Sequence, residues 1–234
     1  SVNAISPYWK TSTPTTITAT ASDALSGVKN VTLYYRFSSD NTTWGGWVSA
    51  GVDTASPWSW SFSFTNGTGY YQFYSIAKDN ATNVESAPGV ADARCGYDNA
   101  APTSSVNAIS PYWKKTSPLA LTVTAADTGK SGLKNVTLYY YNSTNNVTFK
   151  GPWKFGSTNT TPWVSPIRWN FNFPNGTGYY RFYSVAYDNA TNKETFTGND
   201  TQCGYDNVAP TSSVNAISPY WKKTSPLEIA IAHV

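Results

Sequence analysis

Eleven of the 21 asparagines in this chain of 234 residues head an Asn-x-Thr triplet. They are Asn30, Asn41, Asn66, Asn80, Asn135, Asn142, Asn146, Asn159, Asn175, Asn189 and Asn199. The triplet is the acceptor pattern for transfer of a glycan to the asparagine side-chain nitrogen, which implies a secreted glycoprotein. A β-rich surface crowded with Asn and Thr would also make such triplets by accident.

A second group is acidic. Asp98 and Asn99 lie in a Pro-containing stretch, and Asp127, Asp188 and Glu194 lie in loops further on. In a sandwich the first strand enters at the end carrying those loops. Several oxygen ligands then converge, the kind Ca²⁺ takes. Asp23, Asp79 and Glu85 repeat the loop part earlier in the chain. The competing reading is turn capping by Asp and Asn side chains, which needs no metal. No other cofactor is expected.

The two cysteines, Cys95 and Cys203, occupy matching positions and read as buried core thiols. They belong to different repeats, beyond the roughly 7 Å between Cα atoms that a disulfide spans. A bridge between chains stays open on sequence alone.

Catalysis finds little support. The one histidine is His233, near the end of the chain, so neither complete repeat holds a His-based nucleophilic site. Phosphate-cradling and metalloprotease motifs are absent. The chain is expected not to be an enzyme. Its net charge is +3, with Lys114–Lys115 and Lys222–Lys223 as isolated pairs, so no nucleic-acid footprint forms. No apolar run approaches a membrane span.

The elements that must position these residues come in repeats. Ser-Val-Asn-Ala-Ile-Ser-Pro-Tyr-Trp-Lys starts at Ser1, Ser105 and Ser213. A period of about a hundred residues is the size of a whole small domain. The expected units are residues 1–101, 102–209 and a partial third, 210–234. The Pro-containing joints, Asp98–Pro102 and Asp206–Pro210, read as short stiff linkers.

Within a repeat the apolar pattern has period two, bounded by Gly, Pro, Asn and Asp, which predicts an all-β chain. Seven strands are expected in the first: Val2–Ile5, Thr15–Ala21, Lys29–Phe37, Thr43–Ser49, Trp58–Phe64, Tyr70–Lys78 and Val90–Tyr97. Trp58, Trp60, Phe62 and Phe64 should face the core, as should Tyr71, Phe73, Ser75 and Ala77. Asn66-Gly67-Thr68-Gly69 and Asn175-Gly176-Thr177-Gly178 read as hairpin turns. Tyr34, Tyr70, Tyr74, Tyr139, Tyr179 and Tyr183 are expected to face outward, as a contact face for protein or sugar rings. Ordinary cross-strand pairing is the alternative. Seven strands with one apolar face each imply a two-sheet sandwich.

Four strings then meet a known family. They are Asp-Asn-x-Ala-Pro-Thr, Ala-x-Asp followed by Ser-Gly-Val/Leu, Leu-Tyr-Tyr, and Gly-Tyr-Tyr-x-Phe-Tyr-Ser-x-Ala-x-Asp-Asn-Ala-x-Asn-x-Glu. Together they resemble the Ig-like repeats of prokaryotic surface proteins, fibronectin type III-like in architecture. The load of Asn-x-Thr and Trp leans archaeal. The resemblance implies a stalk, adhesin segment or cell-envelope component.

The expectation is therefore a structural building block of an extracellular or cell-surface glycoprotein array or filament. Its partners would be other copies, head to tail, or cell-envelope components. The alternative is an adhesin or carbohydrate-binding module using the tyrosine face. The segment Ser213–Val234 repeats the first strands without their partners, so it is expected to order only against a neighbouring chain.

Overall fold

The computed structural model describes residues 1–158 and 166–216, with the backbone of 231–233. It contains no helix among the described residues, and so none long and apolar enough to cross a membrane.

The first repeat carries β1 (Trp9–Lys10), β2 (Thr15–Thr18), β3 (Val28–Ser38), β4 (Val48–Asp53), β5 (Ser59–Phe62), β6 (Gly69–Asp79) and β7 (Ala93–Tyr97). One sheet runs β1-β7-β6-β3-β4, and β2 pairs with β5 in a second. The second repeat carries β8 (Thr103–Val106), β9 (Trp113–Lys114), β10 (Leu119–Ala126), β11 (Leu133–Ser143), β12 (Lys150–Thr158), β13 (Ile167–Phe171), β14 (Gly178–Asp188) and β15 (Thr201–Tyr205). Its sheets are β12-β11-β14-β15-β9 and β13-β10-β8. The chain is thus a tandem of β-sandwiches, as the alternating pattern requires.

The cores follow the period-two reading. Trp58, Trp60, Phe62 and Phe64 are all buried, with Ser59, Ser61 and Ser63 exposed between them. Phe171 is fully buried, 5.0 Å from Tyr140 and 4.9 Å from Phe182 between ring centroids. Burial of each large apolar side chain is worth about 1.5–3 kcal/mol. The Tyr71 hydroxyl donates to the Gly67 carbonyl at 2.7 Å, and that of Tyr180 to Gly176 at 2.6 Å. Each ties the start of a core strand to the turn before it, as a tyrosine corner does.

Two expected strands moved. Val2–Ile5 does not form one strand: only Val2 bridges Ala19, and the chain then crosses to the other sheet. There Trp9 and Lys10 run parallel to β7, with Trp9 opposite Gly96. A Cβ on Gly96 would lie 2.2 Å from the Trp9 ring, so only glycine permits the approach; Gly204 and Trp113 repeat the arrangement at 2.4 Å. The fourth strand begins at Val48 instead of Thr43. The Asp40 carboxylate accepts the N–H groups of Thr42 and Thr43 at 2.8 and 2.7 Å, and the Ser38 hydroxyl at 2.9 Å. That winds the segment after Ser38 into a loop.

In the tail, β16 (Ser212–Val214) pairs antiparallel with β17 (Ile231–His233). The register Val214↔Ile231 copies Val106↔Val123 of the second repeat. The described ends of the tail thus pair with each other inside the chain. Ile217, Tyr220, Trp221, Leu227 and Ile229 lie outside the described residues.

Candidate functional site: the joint between repeats

The residues singled out in the sequence gather at three places. The first is the joint. Asp98, directly after β7, is wholly buried. Its N–H donates to the Lys10 carbonyl at 2.9 Å, and its Oδ1 accepts the Ala100 N–H at 3.1 Å. Its Oδ2 reaches into the second repeat and accepts the N–H groups of Lys130 and Ser131 at 2.9 and 2.8 Å. From the other side Asn192 Nδ2 donates to the carbonyls of Asp98 and Ala100 at 2.9 and 3.3 Å. The Tyr70 hydroxyl donates to the Lys130 carbonyl at 3.3 Å. Gly129 sits so close to the Asp98 carboxylate that a Cβ there would come within 2.2 Å.

Asp127 and Asp188 complete the cluster: with Asp98 they place one carboxylate oxygen each within 4.8 Å of one another. Asp127 accepts Gly129 N–H and Gly132 N–H at 2.9 and 2.8 Å. Asp188 accepts Asn192 N–H at 2.8 Å and Asn192 Nδ2 at 2.7 Å. Burial, then repulsion from Asp98 and Asp188, pushes the Asp127 carboxyl above its ordinary value, against the pull of the Gly129 and Gly132 N–H groups.

Glu194 is not part of this cluster, contrary to expectation. Its carboxylate accepts Ser104 N–H at 2.6 Å, the Ser104 hydroxyl, and Ala186 N–H at 2.8 Å. It pins β8 of one sheet to β14 of the other. Asp200 makes a second such tie, to Val106 N–H at 2.8 Å and Ser184 N–H at 3.0 Å. Its counterpart Asp92 holds Val2 N–H and Ser75 N–H at 2.9 and 3.2 Å. The sequence reading missed these ties. The matching placement of Asp92 and Asp200, a few residues before each cysteine, was the available signal.

The second place is the outer face of each large sheet. Tyr74 and Tyr183, expected outward and open, are 7% and 8% exposed. Tyr34 stacks on Tyr74 at 5.0 Å, and Trp47 covers Tyr74 at 4.3 Å. Tyr139 stacks on Tyr183 at 5.0 Å, and Phe196 covers it at 4.5 Å. Trp47, expected within the fourth strand, instead covers the face from the loop before β4, and Phe196 does so from the loop after β14. Tyr70 and Tyr179 sit apart, against Trp9 at 5.6 Å and Trp113 at 5.5 Å. In the second repeat a groove of about 610 Å³ remains beside Tyr139, Tyr141, Lys193 and Phe196.

The third place is scattered: the Asn-x-Thr triplets. Asn41, Asn66, Asn80, Asn146, Asn175, Asn189 and Asn199 are exposed, and Asn30, Asn135 and Asn142 are half-buried on strands. Asn159 lies outside the described residues. Cys95 and Cys203 are free thiols with no exposed surface, each pushed up to about 12 by burial. Neither has the access that a bridge between chains needs.

A comparison with curated proteins found no match. Among solved structures, the fibronectin(III)-like modules of CbhA from Clostridium thermocellum align at 17% identity over 88% of this chain and 94% of that chain, with a TM-score of 0.41. Residues 6–74, within the first repeat, match the bacterial Ig domain family, and both repeats fold as β-sandwiches.

Proposed function

We propose that this chain is a non-enzymatic building block of an extracellular or cell-surface array, in which Ig-like repeats are locked end to end. The observation carrying this reading is the joint. A flexible linker would expose Asp98, but here it is buried and held by the amides of the next repeat. Asp206 repeats the preparation: its N–H donates to the Lys114 carbonyl at 2.9 Å and its Oδ1 accepts Val208 N–H at 2.9 Å. Asp206 is exposed, beside a groove of about 580 Å³ lined by Trp113, Lys115 and Val208. The second linker thus begins as the first does, in keeping with head-to-tail growth by copies of this chain or attachment to cell-envelope components.

Ca²⁺ is the ion that the Asp98, Asp127 and Asp188 oxygens would take, as a hard cation bound by carboxylates. It would relieve the repulsion among them and add to the lock. N-linked glycans would coat the surface.

Small-angle scattering from the full chain and its Asp98→Ala variant tests the reading. The parent should give one extended inter-repeat distance, and the variant a broad spread. An equally broad spread in the parent would remove the structural role.

The second reading, a carbohydrate-binding module, rests on the groove beside Tyr139 and Phe196. Calorimetry with soluble polysaccharides tests it, and a Tyr139-dependent heat of binding would favour it.

A further inference from the structure

The Asn-x-Thr triplets are not equivalent, and the fold sorts them. Transfer of a glycan needs an asparagine side-chain nitrogen free to attack, on a segment that can be drawn out of the surface. Among the described residues, four triplets meet both conditions. Asn41, Asn66, Asn146 and Asn175 are exposed, with Asn and Thr both outside strands. Among the described residues, none of the four side-chain amides has a hydrogen-bond partner. Asn41 and Asn146 take positive φ, 61° and 58°, as asparagine tolerates on exposed turns.

The other six described triplets fail for separate reasons. Asn80 Nδ2 donates to the carbonyls of Ser26 and Gly27 at 2.9 and 3.2 Å. Asn189 Nδ2 does the same to Ser131 and Gly132 at 2.9 and 3.1 Å. A sugar on either nitrogen replaces one of these N–H groups and drives a ring into the loop. Asn30, Asn135 and Asn142 lie inside strands, paired with Lys78, Tyr187 and Tyr180. Asn142 Oδ1 also accepts the Trp153 indole N–H at 3.3 Å. The Asn199 triplet runs through Asp200, which ties the two sheets, to Thr201, the first residue of β15.

The four that pass share one end of the sandwich. Asn41 follows Ser38, which pairs with Tyr70, and Asn66 precedes Gly69, which pairs with Tyr97. Asn146 follows Ser143, opposite Tyr179, and Asn175 precedes Gly178, opposite Tyr205. Tyr97 and Tyr205 lead directly into the linkers. The Thr177 hydroxyl of the Asn175 turn even donates to Asn207 of the linker, at 3.3 Å.

We propose that, among the described residues, Asn41, Asn66, Asn146 and Asn175 are the glycan acceptors, so that sugars crown the end of each repeat from which the linker leaves. This rests on the glycoprotein reading above. The co-reactant is a lipid-phosphate-linked oligosaccharide. The C1–O bond to the lipid phosphate breaks, the Nδ2–C1 bond forms, an amide proton passes to a base of the transferase, and the lipid phosphate leaves. At the opposite end of the second repeat Asn189 holds the loop that receives the preceding linker, and Asn80 holds the matching loop of the first.

Glycopeptide mapping of the full chain from its native source is the test. Occupancy is expected at the four loop sites, with Asn30, Asn80, Asn135, Asn142, Asn189 and Asn199 bare. Glycans on Asn80 or Asn189, or on strand sites with the four loop sites empty, would overturn the sorting while leaving a glycoprotein. An entirely bare chain would instead end the glycoprotein reading, and this assignment with it. A second measurement needs no glycan: Asn80→Ala should lower the melting temperature by several degrees, and Asn66→Ala should not. Equal effects would overturn the division into locks and acceptors.

Discussion

The Asp98 carboxylate, at the end of one repeat, accepts the backbone N–H of Ser131 in the next at 2.8 Å. One side chain thereby makes a linker into part of the following domain. The cost of burying that charge is met by three backbone donors, Ala100, Lys130 and Ser131.

Asp98→Ala should therefore weaken the second repeat as well as loosen the joint. Hydrogen bonds to charged groups are worth about 1.5–3 kcal/mol each, and the freed amides recover part of that from water. A loss of about 1–3 kcal/mol in denaturant unfolding of the second repeat is expected. Unfolding curves identical to the parent would show that the contact carries no energy.

The joint should respond to pH through Asp127. Its folded value is raised, so its contribution is fully present below the ordinary carboxylate value, 3.8, and is lost as pH rises through the raised value. In chelator, the second repeat should thus gain stability as pH falls from 7 toward the ordinary carboxylate value. Asp127→Asn should flatten that slope. Asp23, whose carboxyl is held below its ordinary value by Gly27 and Ser26, titrates on the opposite side of that window. Melting temperatures of parent and variant across this range provide the check.

Calcium should act on the same group. Millimolar Ca²⁺ at pH 7 should raise the melting temperature of the parent, and chelator should reverse it. The shift should vanish in Asp127→Asn. A parent indifferent to both additions would leave the hydrogen bonds alone as the lock.

Phe171→Ala should cost about 3–5 kcal/mol, the range for truncating a buried aromatic residue. Tyr180→Phe keeps the ring and loses only the bond to Gly176, so about 1 kcal/mol is expected. Chemical denaturation of both variants separates packing from the corner hydrogen bond.

Cys95 and Cys203 should ignore a thiol reagent at pH 8 in the folded chain and react at once in denaturant. With no exposed surface and thiols pushed up to about 12, neither offers a thiolate. Rapid labelling of the native protein would contradict their burial.

The sequence by itself determined the repeat, the all-β class and the inward faces. Those follow from local periodicity: Trp58, Trp60, Phe62 and Phe64 alternate with serines, and a pleated strand has no other way to place them. It also pointed Asp98, Asp127 and Asp188 at one joint, since sandwich topology fixes which loops share an end. What it could not show was set by contacts between distant segments. Glu194 reads like a fourth ligand, but its carboxylate lies against Ser104, 90 residues away. Tyr74 and Tyr183 read as open, but Trp47, which pattern placed in a strand, and Phe196 close over them from loops. Asn80 and Asn66 carry the same triplet, and only the fold spends one amide on the carbonyls of Ser26 and Gly27 and leaves the other free. Pattern assigns a side chain to a face; tertiary structure decides what already occupies that face.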